Sequence, residues 1–128
     1  MSISRKILET KSLCQTICGN MQTNSTQTVI KLLYFIDEYQ SCSPQMLISK
    51  LGIKKTNLAL ITKQMINDGL IVSKKGSYDK RSISYSLTNK GKDVLNIYLE
   101  KLDNIFHEQD AFLEQNLDQI LSYLNKKV

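Results

Sequence analysis

Four cations, Lys74, Lys75, Lys80 and Arg81, crowd around Gly76 and Ser77 in the stretch IVSKKGSYDKRSISYSLTNKG, residues 71–91. With nothing apolar to bury at such a tip, cations at this density suit phosphate or a narrow polar groove. A second set lies upstream: Lys54, Lys55, Thr56, Asn57, Lys63 and Gln64. Hydroxyl and amide side chains can exchange hydrogen bonds with base edges, and lysines can reach phosphate oxygens.

Residue types suited to catalysis or metal binding are sparse. His107 is the single histidine, and it stands among Asp103, Asp110 and Glu114 in what reads as an acidic helix. Those spacings could hold a cation, but the expected reading is a solvated helix face. No phosphate-cradling Gly-rich loop, nucleophile elbow or paired metal motif occurs, so the chain is not read as an enzyme and no cofactor or metal is expected. Three cysteines, Cys14, Cys18 and Cys42, do not form a disulfide framework. Cys14 and Cys18 share a helix face and are expected to be buried apolar thiols; the sharper alternative is a redox sensor at these two positions.

The elements that must carry these groups can be read from periodicity. The segment SPQMLISKLGIKKTNLALITKQMINDGLI holds two helix-period runs joined at Leu51-Gly52-Ile53, with Gly69 ending the second. Ser43 can cap the first, and Pro44 falls in its first turn, where the missing N–H costs nothing. In the second, Leu58, Ile61 and Met65 repeat at helical spacing and face a core, which leaves Lys55, Thr56, Asn57, Ala59, Lys63 and Gln64 outside. Two short strands then flank the cationic tip, with Ile83, Tyr85 and Leu87 on one face and Ser82, Ser84 and Ser86 on the other. Helix, turn, helix, hairpin is the winged helix-turn-helix order.

From about Ser43 to Leu95 the chain resembles the DNA-binding core of the MarR family of transcriptional regulators. The match rests on Asp79-Lys80-Arg81 followed by Leu87-Thr88-Asn89-Lys90-Gly91, together with the Leu51-Gly52-Ile53 turn and the Asp68-Gly69-Leu70-Ile71 exit. The resemblance implies that Arg81, helped by Lys80 and Ser77, enters a minor groove, that Asp79 orients the wing, and that Lys54, Lys55, Thr56, Asn57, Lys63 and Gln64 meet the major groove and its phosphates. Two positions depart from the family pattern. Lys54 stands where a capping serine or threonine is usual, so the helix starts weakly there or begins at Thr56. Leu60 stands where a polar or basic residue is usual, and either packs or touches a thymine methyl.

Charge segregates along the chain independently of any family. Residues 51–92 carry nine Lys/Arg against two Asp/Glu, whereas residues 93–128 carry three against seven. The basic excess thus falls on the segment whose pattern points to nucleic acid. With 128 residues, 41% apolar content and one proline, the chain is expected to form a single domain, 1–128, mainly α with a small β-hairpin wing. Its DNA-binding core would be residues 43–92. No stretch approaches the ~20 apolar residues of a membrane span, and no signal-peptide pattern opens the chain, so a cytoplasmic, nucleoid-associated location is expected.

Apolar stripes flank that core: Ile3, Ile7, Cys14, Ile17 and Cys18 at the start, a dense VIKLLYFIDEY run at 29–39, then Val94 through Phe106 after the potential cap Thr88, and Leu113, Leu117, Ile120, Leu121 and Leu124 at the end. The terminal stripes, 1–20 and 93–128, exceed what one small domain needs and are expected to form a homodimer interface. The resemblance adds two recognition helices set ~10 bp apart on a pseudo-palindromic operator, repression released by a small-molecule or oxidant signal, and a small aromatic effector in a cleft near Tyr34, Tyr98 and Phe106, residues that a core would explain as well. A second class of function, a winged-helix module that binds an acidic protein partner, draws on the same basic surface.

Overall fold

The computed structural model describes residues 2–21, 25–76 and 81–128. Ser77, Asp79 and Lys80 lie outside the described residues. The backbone clusters into two compact units, Met1–Tyr98 and Leu99–Val128.

In the first unit, local signals set each boundary. Helix α1 (Ile3–Asn20) begins at Ser2, whose hydroxyl accepts from the Arg5 N–H. Helix α2 (Gln27–Tyr39) begins at Thr26, which accepts from Val29 N at 3.3 Å. Helix α3 (Pro44–Leu51) is capped by Ser43, which accepts from Met46 N at 3.2 Å, with Pro44 at its first position. Gly52, at φ 65°, closes α3 and lets the chain turn sharply into α4 (Lys55–Asn67). An L side chain resists that left-handed backbone, so the corner calls for glycine.

Gly69, at φ 75°, turns the chain out of α4 just past its cap Asp68, and Leu70 N bonds back to the Met65 carbonyl at 2.9 Å. The chain then forms the antiparallel hairpin β1 (Ile71–Lys75) and β2 (Ile83–Leu87), in register from Ile71 opposite Leu87 to Lys75 opposite Ile83. Cys42, just before α3, bridges to Tyr85 of β2 through a 2.8 Å backbone bond. This anchors the base of the hairpin to the helix-turn-helix. Helix α5 (Asn89–Ile105) follows at once.

The core of this unit is built from Leu32, Leu33 and Ile36 of α2, Leu47 of α3, Leu58 and Met65 of α4, Ile71 and Tyr85 of the hairpin, and Leu95 of α5. Two sequence expectations shift. Thr62, not Ile61, takes the deeper place on α4, and Ile61 is only half-buried. The threonine is tolerated because its hydroxyl donates to the Leu58 carbonyl at 2.8 Å, which leaves no unsatisfied polar atom. On β2, Tyr85 is buried but Ile83 is 40% exposed, since it sits toward the tip, opposite Lys75 and away from the helices that cover the base.

The second unit holds the end of α5, a 3₁₀ turn at His107–Gln109 and helix α6 (Asp110–Asn125). His107 is therefore not inside an acidic helix: α5 ends before it, and the helical spacing to Asp103 and Asp110 is broken. Along α6 Phe112, Leu117, Ile120, Leu121 and Leu124 are all exposed, and Leu113 is half-buried. No helix among the described residues is long and apolar enough to cross a membrane.

Candidate nucleic-acid interface

Helix α4 presents every polar residue singled out in its sequence. Lys54, Lys55, Thr56, Asn57, Lys63 and Gln64 are all exposed, while Leu58, Thr62 and Met65 hold the opposite side in the core. Lys54 occupies the cap position and makes no side-chain cap bond, so the helix starts at Lys55 with its first N–H groups uncapped by a side chain. No acidic residue lies in that first turn. Free N–H groups, the positive end of the helix dipole and two lysines together favour an anion there.

One side chain on this face is already committed. Gln64 donates from Nε2 to Asp68 Oδ1 at 3.0 Å, an i to i+4 pair that orients the amide and leaves Oε1 as the acceptor it offers outward. The pair was legible only as a spacing, because glutamine and aspartate four residues apart can equally point elsewhere.

Lys74 and Lys75 are exposed on β1, and Arg81 is exposed where the chain re-enters β2. Gly76 N bonds the Ser82 carbonyl at 3.0 Å, which carries the pairing one step beyond Lys75. The hairpin thus extends its cations away from the core while its base is fixed.

How firmly it is fixed emerges at Thr88 and Gly91. The Thr88 hydroxyl lies within donating reach of the Gly69 and Leu70 carbonyl oxygens and accepts from Gly91 N at 3.0 Å, so one side chain joins the end of α4 to the start of α5. Thr88 N also bonds the Leu70 carbonyl at 3.0 Å. A Cβ on Gly91 would collide with that same carbonyl. Lys90 Nζ adds a 2.8 Å bond to the Asp68 carbonyl. The leucine-threonine-x-x-glycine run is thus a clamp that sets the hairpin relative to α4.

Two hollows adjoin these elements. One, about 310 Å³, lies between α4 and the hairpin and is lined by Ala59, Thr62, Ile66, Ser73, Ile83 and Tyr85, with Lys63 and Asn67 at its rim. The other, about 320 Å³, involves Asp37, Gln40, Ser41, Ser86 and Lys92. Gln40 and Ser41 carry positive φ values of 37° and 57°, a strained turn for non-glycine residues.

The aromatic and cysteine expectations divide. Tyr98 is buried, with its hydroxyl donating to Gln27 Oε1 at 3.0 Å; burial above all, and a Cys18 contact next, pushes its phenol up. Tyr34 and Phe106 are more than a third exposed and are not core within this chain. Cys14 is exposed and Cys18 half-buried, contrary to the expectation that both are buried, because α1 holds no buried residue. Cys42 is the buried thiol: its Sγ donates to the Phe35 carbonyl at 3.3 Å, and burial pushes its pKa up. No cluster of metal-ligating side chains occurs among the described residues.

With this geometry in view, comparison with known proteins is informative. Residues 25–83 match the MarR family, a span that covers α2, α3, α4 and β1. The HTH-type transcriptional regulator PetP of Rhodobacter capsulatus is 36% identical over 61 residues, a stretch that spans 48% of this chain and 37% of that protein. Among solved structures, NadR in complex with 4-hydroxyphenylacetate superposes with a TM-score of 0.84 at 21% identity, covering 99% of this chain and 92% of that one. The multiple antibiotic resistance repressor MarR gives 0.76 at 20% identity, over 100% and 95%. The adhesin competence repressor AdcR of Streptococcus pyogenes gives 0.68 at 14%, over 99% and 98%. Order of elements, clamp motif and fold likeness agree with that match: residues 25–83 are a MarR-family segment, set in a chain that has the MarR-type winged-helix fold.

Proposed function

We propose that this chain acts as a homodimer that binds duplex DNA at a pseudo-palindromic operator overlapping a promoter and so blocks transcription. The observation that carries this reading is the pairing of two exposed basic surfaces, the outer face of α4 and the strands of the hairpin, on elements locked together by Thr88 and Gly91. Residues 43–92 form the DNA-binding core. Lys54, Lys55, Thr56, Asn57, Lys63 and Gln64 supply major-groove and phosphate contacts, and Arg81 supplies the wing contact, with Ser77, Asp79 and Lys80 assigned by the family pattern alone.

Dimerisation is assigned to 1–20 and 93–128. Its support is the exposed apolar stock of α1 and α6, including Ile7, Leu13, Leu117 and Ile120. An effector that favours one separation of the two recognition helices shifts affinity by its preference for that state. A small aromatic anion is the proposed class, in keeping with the 4-hydroxyphenylacetate bound to NadR. Oxidation at exposed Cys14 is the proposed alternative trigger, tested by peroxide-dependent DNA release in Cys14→Ser and Cys18→Ser.

Selection on random duplex DNA with the purified protein tests the core of this reading. A palindrome with half-sites one helical turn apart is the expected product. On that site Arg81→Ala is expected to cost about 1–3 kcal/mol of specific binding, whereas Lys74→Ala lowers affinity evenly across sequences and flattens the salt dependence. Unchanged affinity in both variants, or no selected sequence, defeats the proposal and leaves an acidic protein partner as the occupant of the basic surface.

A further inference from the structure

Leu60 is 69% exposed, although it lies in the middle of a helix whose other side is packed into the core. Thr56, Leu60, Lys63 and Asn67, spaced four, three and four residues apart, form the row most nearly opposite buried Leu58 and Met65. All four are exposed. Leu60 is absent from the hollow between α4 and the hairpin, where Ala59, Ile66 and Ile83 gather, so it faces away from the protein's own apolar groups. A single leucine set among a hydroxyl, an ammonium and amides does not make a protein-docking patch, which needs contiguous apolar area. It matches a target that is one methyl wide.

Resting on the DNA-binding reading above, we infer that Leu60 is a specificity-determining residue that packs on the C5 methyl of a thymine in each half-site. In the major groove only thymine presents an apolar group at its edge, and apolar side chains choose it for that reason. Leu60 lies in the second turn of α4, one turn beyond Thr56 at the helix N-terminus, the end by which a recognition helix meets base edges. Thr56 and Lys63, one turn to either side, supply the polar and phosphate contacts that hold the leucine at a fixed depth.

The test uses the full chain and the duplex obtained by random selection. Each thymine is replaced in turn by deoxyuridine, which removes only the methyl, and affinity is read by fluorescence anisotropy. One thymine in each half-site is expected to weaken wild-type binding about fourfold when its methyl is removed, the worth of one buried carbon group. Leu60→Ala is expected to weaken binding to the unmodified duplex by a similar factor and to become indifferent to deoxyuridine at that position. A wild-type protein insensitive to methyl removal at every thymine, or a Leu60→Ala variant that keeps the same penalty, overturns the inference while leaving DNA binding standing. Failure of wild-type protein to select any duplex overturns the DNA reading itself, so the two failures are distinct.

Discussion

In α2 the residues Ile30, Leu32, Leu33 and Ile36 are all buried, whereas in α6 the residues Phe112, Leu117, Ile120, Leu121 and Leu124 are each at least 48% exposed. Both helices carry apolar residues at helical spacing. Such a pattern states that a face must be covered and leaves open what covers it. For α2 the cover is α3, the hairpin and the start of α5, supplied by the same unit. For α6 no such cover exists within its own unit, and the proposed second copy would provide it.

Replacing one residue in each helix should break or sharpen this contrast. Leu32→Ala is expected to cost about 3–4 kcal/mol of unfolding free energy by urea titration, because it removes buried atoms and opens a cavity. Ile120→Ala is expected to cost under about 0.5 kcal/mol in dilute protein yet to weaken self-association in sedimentation equilibrium. An Ile120→Ala loss as large as that of Leu32→Ala, and independent of protein concentration, would erase the distinction between the regions.

Glycines offer a second, smaller version of the same comparison. Gly91→Ala drives a methyl into the Leu70 carbonyl and is expected to cost about 3 kcal/mol. Gly19, in α1, has open space around it, and Gly19→Ala is expected to stabilise by up to about 1 kcal/mol through helix propensity. The pair separates a position held by close packing from one held by nothing but its own helix.

Smaller again are the helix starts. Ser43→Ala removes the α3 cap and is expected to cost about 1 kcal/mol, while Lys54→Ser supplies the cap that α4 lacks and is expected to gain a similar amount, both read from thermal midpoints. If Lys54→Ser also weakens operator binding, the weak start is retained for the cation it places there.

The smallest expected effect concerns the thiols. Cys14 should react promptly with a disulfide reagent and Cys42 only as fast as the fold opens. Burial raises the folded pKa of Cys42, so its contribution to stability is present below the ordinary thiol range and declines as pH rises through the folded value. Cys42→Ala should remove that part of the alkaline slope.

Much of the winged core is legible in the sequence. Ser43 with Pro44, Gly52, Gly69 and Thr88 each announce a boundary, because a cap or a left-handed backbone angle is a property of a few adjacent residues. The outward set on α4 was equally legible. What periodicity missed depended on distant neighbours: Thr62 displaces Ile61 because a carbonyl one turn back satisfies its hydroxyl, and Ile83 stays exposed because the hairpin outruns its cover. His107 fell in a break between helices that composition does not mark.

By itself, then, the sequence determined most helix boundaries of the winged core, where the positive charge collects, and which face of α4 carries it. Tertiary structure decided which apolar faces are covered, why residue 91 has no room for a side chain, and that Leu60 points outward among polar groups. The division follows the range of the forces involved. Capping bonds and backbone angles act within a turn of chain, whereas burial is settled by residues far apart in sequence that meet only when the fold is complete.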